Sequence, residues 1–321
     1  MTDPLSDVLR SVRLKGGVFL DVHMTAPWCV NSVTTAEDVK PFLAAPAQLI
    51  GYHVVTAGRM LVSVEGEPAI EVGAGEVVLL PRNDLHMVAS APGLEPVSTE
   101  GLIQPSPEGK LARIVHGGGG EATHCLCGFL GSEEAANPLI ATLPRMLKLD
   151  LPQGTSYDWI EASLRFAAGE LAAGRLATSS VMSRLSELLL VEAVRRYSST
   201  LAEGEVGWLK GLNDPYVGRA LTLIHRDISA PWSAEALARE VAMSRSAFMD
   251  RFSAIVGMPP IRYLTFWRLR AARLELRETR KAVAQLAHAV GYDSVEAFSR
   301  AFKREFGLSP AQWREQQEAG G

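Results

Sequence analysis

AEALAREVAMSRSAFMDRF (Ala234–Phe252) and VAQLAHAVGYDSVEAFSRAF (Val283–Phe302) are two statements of one pattern. Each runs through a short helix centred on Leu-Ala, three or four turn residues, a serine, and an amphipathic helix that ends on an aromatic ring. Ser244 and Ser294 are placed to accept free backbone N–H groups of the second helix in each unit. Ala238 and Ala287 are small where two helices must cross closely. A single unit of this kind suits any αα-corner. Two, with their serines 50 residues apart, predict tandem helix-turn-helix units whose second helices enter the major groove.

Between them, Pro260–Leu276 predicts one helix of 17 residues, about 25 Å long. With the flanking helix widths, it holds two recognition helices about one DNA turn, about 34 Å, apart. Arg262, Arg268, Arg270, Arg273 and Arg277 lie along it, suited to phosphates or to a solvated face. Phe248, Phe252, Phe298, Phe302 and Phe306 fall at helical spacing and are read as core. Charge divides at the same place. Residues 1–214 carry 16 Lys+Arg against 25 Asp+Glu and residues 215–321 carry 16 against 11, so the total of −4 hides −9 in front and +5 behind. A basic back half fits a nucleic-acid partner, and also fits solvated helices.

GYDSVEAFSRAFKREFGLSPAQWR (Gly291–Arg314), with Leu237-Ala238, Met243-Ser244-Arg245-Ser246, Gly257, Pro260 and Tyr263-Leu264 before it, resembles the AraC/XylS transcription regulators over residues 215–314. The resemblance implies Arg245, Ser246, Met249 and Asp250 as base-facing residues of the first unit, and Val295, Glu296, Ser299 and Arg300 of the second. Arg300, Lys303 and Arg304 are the expected DNA contacts of the second unit. Asp250 stands where several relatives are basic, and Val295 and Glu296 replace polar amides. A carboxylate accepts from cytosine N4 but repels phosphates.

The front half has a different period. Val18–His23, Tyr52–Val64, Ala69–Val72, Val77–Leu80 and Leu111–Val115 are short apolar or alternating runs broken by Gly and Pro, which predicts a sandwich or barrel. Residues 91–110 read as an irregular excursion. Tyr157–Ala173 and Thr178–Ser198 carry helical spacing. The expected organisation is a sensor barrel over 1–150, a helical dimerisation or packing segment over 151–200, a linker over 201–213, the double helix-turn-helix domain over 214–314 and a tail over 315–321. The fold class is multidomain α+β: a β-barrel with trailing helices, then an all-α domain. Tyr52-His53-Val54-Val55, Gly75–Pro81, Asp84-Leu85-His86 and Cys127-Gly128 resemble the cupin-like sensor of one AraC subgroup. That resemblance implies a ligand- or redox-sensing barrel that dimerises.

His53 and His86, with Cys127, form a candidate site for zinc or another transition metal, with Cys125, His124, His116, His23 and Cys29 in reserve. The bland alternative is hydrogen-bonded barrel histidines and small buried thiols. A redox pair of Cys127 with Cys29 is a further candidate, since alternation sends Cys125 and Cys127 to one face and such neighbours rarely bridge. A cupin enzyme's His-x-His set is absent, because Val54-Val55 follows His53. The reading is a sequence-specific transcription regulator sensing a small molecule, metal or redox signal. The rival is a metal-dependent cupin enzyme with a vestigial DNA-binding tail. Expected partners are double-stranded promoter or operator DNA, a second copy of the chain, and RNA polymerase where it activates. The N-terminus lacks a signal-peptide h-region and no run of about 18 apolar residues occurs. A cytoplasmic protein without membrane contact is therefore expected.

Overall fold

The computed structural model, which describes residues 14–40, 47–104, 112–132, 142–149, 180–201 and 207–319 with Leu5 and Ile140, divides into two units. One comprises residues 12–197, the other residues 198–321 with 1–11. The front unit opens with β1 (Lys15–Thr25), β2 (Cys29–Ser32) and a short α1 (Ala36–Val39). It continues through β3 (Gln48–Ala57), β4 (Arg59–Val64), β5 (Ile70–Gly73), β6 (Val77–Leu80) and β7 (His86–Ala89). β8 (Val97–Ser98), β9 (Ala112–Gly117), β10 (Ala122–Ser132) and β11 (Leu147–Leu149) complete it. One sheet runs β11-β6-β3-β10-β1-β9 and the other β5-β4-β7-β2-β8.

Alternation builds the interior. In β4, Met60, Val62 and Val64 are buried while Arg59 is exposed. Leu20, Val22 and Met24 of β1 meet Trp28, Val30, Val62 and Ile114 in one core. The long run Tyr52–Val64 is two strands, not one. Gly58 turns between them at φ +74°, and a Cβ there would stand 2.3 Å from the Ala122 carbonyl oxygen. Only glycine fits both constraints. Within the excursion, β8 lies parallel to β2 and Gln104 bridges to Arg113. The expected helix over Tyr157–Ala173 lies outside the described residues. The next is α2 (Ser180–Thr200).

The back unit is helical: α3 (Trp208–Asn213), α4 (Val217–Arg226), α5 (Ala234–Glu240), α6 (Arg245–Val256), α7 (Pro260–Glu278), α8 (Val283–Ala289), α9 (Val295–Phe306) and α10 (Pro310–Ala319). Residues 208–213, read from sequence as linker, are a helix of this unit. Trp208 and Leu209 are buried, and the Trp208 indole N–H donates to the Tyr263 hydroxyl. An isolated six-residue apolar stretch carries no period by which to be recognised. Ser233, Ser244 and Ser294 accept from the N–H groups of Ala236, Ala247 and Ala297, as N-caps. Ala238, Ala287 and the rings of Phe248, Phe252, Phe298 and Phe302 are buried, and Phe306 packs against the second-unit core.

His225 sits among Trp208, Tyr263 and Trp267, with its Nε2 2.6 Å from the Tyr263 hydroxyl. Burial pushes its pKa down to about 4. In the unfolded chain an imidazole titrates near 6.5, so its stabilising effect is complete above that pH and is lost as pH falls toward 4. The expected loss is about 3 kcal/mol across that window. Denaturant unfolding followed by tryptophan fluorescence at stepped pH reads it, and His225→Leu should flatten the profile.

Candidate DNA-reading face and buried thiol–imidazole row

In both helix-turn-helix units the second helix turns one face outward. On α9, Glu296, Arg300, Lys303 and Arg304 are exposed, and Ser299 is half-buried. Val295 packs partly against the core of Leu269, Leu276, Phe298 and Phe302, so most of its side chain supports the helix rather than reaching for a base. On α6, Arg245, Ser246 and Asp250 are exposed and Met249 is half-buried. Arg245 Nε pairs with Glu235 of α5 at 2.6 Å. Both groups are well exposed, so water screens the pair and it holds Arg245 only loosely.

The arginines of α7 divide by role, which spacing did not reveal. Arg268 donates to the carbonyls of Ile228 (2.6 Å) and Ala230 (2.7 Å), tying α7 to the loop before α5. Arg270 lies over the Phe266 ring and Arg273 over Phe306. Arg262 and Arg277 remain exposed. The expected phosphate role of Arg268 is thus replaced by an internal one.

Inside the front unit, β3, β7 and β10 bring His53, His86 and Cys127 into a row. His53 Nδ1 is 3.0 Å from the Cys127 Sγ, and its Nε2 is 2.6 Å from His86 Nε2. His86 Nδ1 lies 3.0 Å from the Asp84 carbonyl oxygen. The three expected ligands therefore do meet, but in line: Cys127 and His86 occupy opposite nitrogens of one ring. Two nitrogens on a tetrahedral zinc, each about 2.0–2.1 Å from the ion, stand about 3.3 Å apart. A shared ion would require His53 to turn. As it stands, the residues fit a hydrogen-bonded relay and not a converged ligand set.

Electrostatics agree with a neutral row. Burial, then the neighbouring His86, holds His53 well below the usual imidazole range. Burial also lowers His86. The hydrogen bond with Cys125, then burial, pushes the Cys127 thiol well up. Cys125 and Cys127 share the interior face, and both line a cavity of about 20 Å³ with His53, Trp28 and Met60. Cys29 does not join them. It lies between Trp28 and Val30, both of which line that cavity, so alternation turns its side chain to the other face of the sheet. All three cysteines are free, and the expected Cys29–Cys127 pair is not formed. His116 lies half-buried on β9.

Sequence reasoning missed what stands behind the row. Tyr52, next to His53, points to the opposite side of the sheet, where its hydroxyl is 2.8 Å from Ser186 Oγ of α2 and donates to the Gly17 carbonyl. A lone Ser among the leucines of α2 was the available signal.

A cupin family model matches residues 3–199, and a helix-turn-helix domain model matches residues 237–316. A Streptomyces lividans protein described as an AraC-like transcription regulator is 31% identical over 97% of this chain and 98% of its own. The RCS-specific HTH-type transcriptional activator RclR of Escherichia coli is 26% identical over 89% and 91%. Among solved structures, the DNA-binding domain of AdpA, a global transcriptional factor in complex with a target DNA, is 28% identical, covering 33% of this chain and 95% of that one with TM-score 0.32.

Proposed function

The chain belongs to the AraC-like transcription regulators, with a cupin domain ahead of its helix-turn-helix DNA-binding domain, and from that premise we propose that the cupin domain is the sensor, acting at the Cys127–His53–His86 row. The protein is a DNA-binding regulator and not an enzyme. The observation that carries the sensing role is a line of three polar, hydrogen-bonded groups buried at the edge of an apolar cavity. Such a row costs stability that an all-apolar interior would not. Size narrows the signal. About 20 Å³ admits one water-sized guest, which favours an ion or a small oxidant over a sugar-sized effector.

Either signal acts through the same first event, removal of the Cys127 proton, with His53 Nδ1 as the nearest base. The thiolate then attacks one oxygen of hydrogen peroxide, the O–O bond breaks to leave a sulfenic acid, and the departing hydroxide takes the proton held by His53 and leaves as water. Were the signal a transition metal such as zinc, Cys127, His53 and His86 would be the residues to hold it, and only with His53 turned from its present line. Output runs along β3, since Tyr52 carries any shift of His53 to Ser186 on α2. We further propose that the chain works in the cytoplasm as a homodimer on double-stranded promoter DNA, and contacts RNA polymerase where it activates. The +5 of residues 215–321 is small for a DNA binder, which supports a need for two copies.

Genome-wide mapping of bound DNA supplies the operator. On that fragment, the footprint of the full chain should change with hydrogen peroxide, hypochlorite or zinc, and Cys127→Ser and His53→Gln should each abolish the change while binding DNA normally. Variants that respond as the wild type does would exclude the row as the sensor.

A further inference from the structure

On the outer face of the same strands, β1 carries Asp21 and His23 two residues apart, and β10 places His124 directly opposite His23. His124 Nε2 lies 2.6 Å from Asp21 Oδ1, and His23 Nε2 lies 3.1 Å from each of the two Asp21 oxygens. The two imidazoles stack with centroids 4.2 Å apart, so both Nε2 atoms address one carboxylate. One donor atom from each of the three residues falls within 4.8 Å of the other two. We propose that Asp21, His23 and His124 form a binding site for a first-row divalent cation of the zinc or iron(II) class, separate from the buried row.

Two features go beyond proximity. The donors are two imidazole nitrogens and a carboxylate oxygen, the set that first-row divalent ions take with open positions left for water. The remaining groups are already held from outside. Thr56 Oγ1 is 2.5 Å from His124 Nδ1, and Arg113 donates from Nε and Nη2 to Asp21 Oδ2 at 3.2 and 3.1 Å, an oxygen that His23 Nε2 also reaches, while His124 addresses Oδ1. Ligand histidines and carboxylates characteristically have such outer partners, which fix ring and carboxylate orientation. The His124 Nε2–Asp21 Oδ1 contact, 2.6 Å as it stands, opens to about 3 Å around an ion bound at about 2.0–2.1 Å.

The site would staple β1 to β10 directly behind Val22 and Cys125, which are cross-strand partners and line the interior cavity. Cobalt(II) added to the full chain tests it. One equivalent should bind with the visible bands of nitrogen–oxygen ligation and without the near-ultraviolet sulfur-to-cobalt band that the Cys127 row would produce. His23→Gln and His124→Ala should lose that binding, and Thr56→Val should weaken it about 10-fold. Cys127→Ser should leave it intact. His23 is the most exposed of the three ligands, so its replacement leaves the barrel folded, which circular dichroism checks. Absence of cobalt binding by the wild type, or binding that survives both histidine replacements, would overturn the proposal.

Discussion

Replacing Arg300 with Ala should weaken binding to the operator about 10–100-fold, corresponding to about 1–3 kcal/mol. Arg300 is exposed on α9, one turn beyond Glu296 and one turn before Lys303 and Arg304. α9 is the second helix of its helix-turn-helix unit, the one that enters a major groove. Lys303→Ala should behave differently. As a phosphate contact it should weaken all sequences alike and lower the salt dependence by about one ion. Arg245 of the first unit provides the contrast. Its pairing with Glu235 must open before it reaches DNA, so Arg245→Ala should cost less than Arg300→Ala. Gel retardation of operator and scrambled fragments across a salt series separates these cases. An Arg300→Ala chain that binds both fragments as the wild type does would remove α9 from the reading surface.

Gly128→Val should cause a large loss of stability in the front unit. A Cβ at position 128 would stand 2.1 Å from the Tyr52 ring and 2.6 Å from the Gly17 carbonyl oxygen. Tyr52 is fully buried between the sheet and α2, so it has nowhere to retreat. Overpacking a tight core costs about 1–3 kcal/mol for a modest insertion, and a branched side chain against both ring and backbone should exceed that. The ring can move only by giving up Ser186 Oγ and the Gly17 carbonyl. Tyr52→Phe removes the same two hydrogen bonds without the clash, and should cost about 1 kcal/mol. If Tyr52 transmits the signal, Tyr52→Phe should also uncouple the footprint from the sensor while leaving DNA affinity unchanged. Denaturant unfolding of both variants, with the footprint of the milder one, distinguishes packing from signalling.

The helical back half was legible because its information is local. Caps, Leu-Ala centres and aromatic spacing are set within a few residues of chain, and α5, α6 and α9 carry the expected serine caps in the structure. The barrel was legible as a class for a similar reason, since alternation marks strands wherever one face is buried. Partnership between strands was not. His53 and His86 were paired from the sequence because the segments around them read as strands, yet only tertiary register shows that His53 offers one nitrogen to His86 and the other to Cys127. Cys29 was misassigned because one position of phase on β2 decides which face a side chain takes, and phase is fixed by the neighbours Trp28 and Val30.

The same division explains the outer cluster. Asp21-Val22-His23 announces two polar groups on one face of a strand, but nothing local says that His124 and Arg113 will lie across from them. β1 is flanked by β10 antiparallel and β9 parallel, from segments about 90 to 115 residues distant. Loop closure over such distances leaves little trace in composition, because its cost depends only weakly on the intervening residues. The amino-acid sequence by itself determined the tandem helices, their caps and cores, the strand character of the front half and the division of charge between them. Only the tertiary structure decided which histidine faces which thiol, which arginines are committed to backbone and rings, and where a carboxylate meets two imidazoles. Those contacts join residues that the chain separates and that strand register alone brings together.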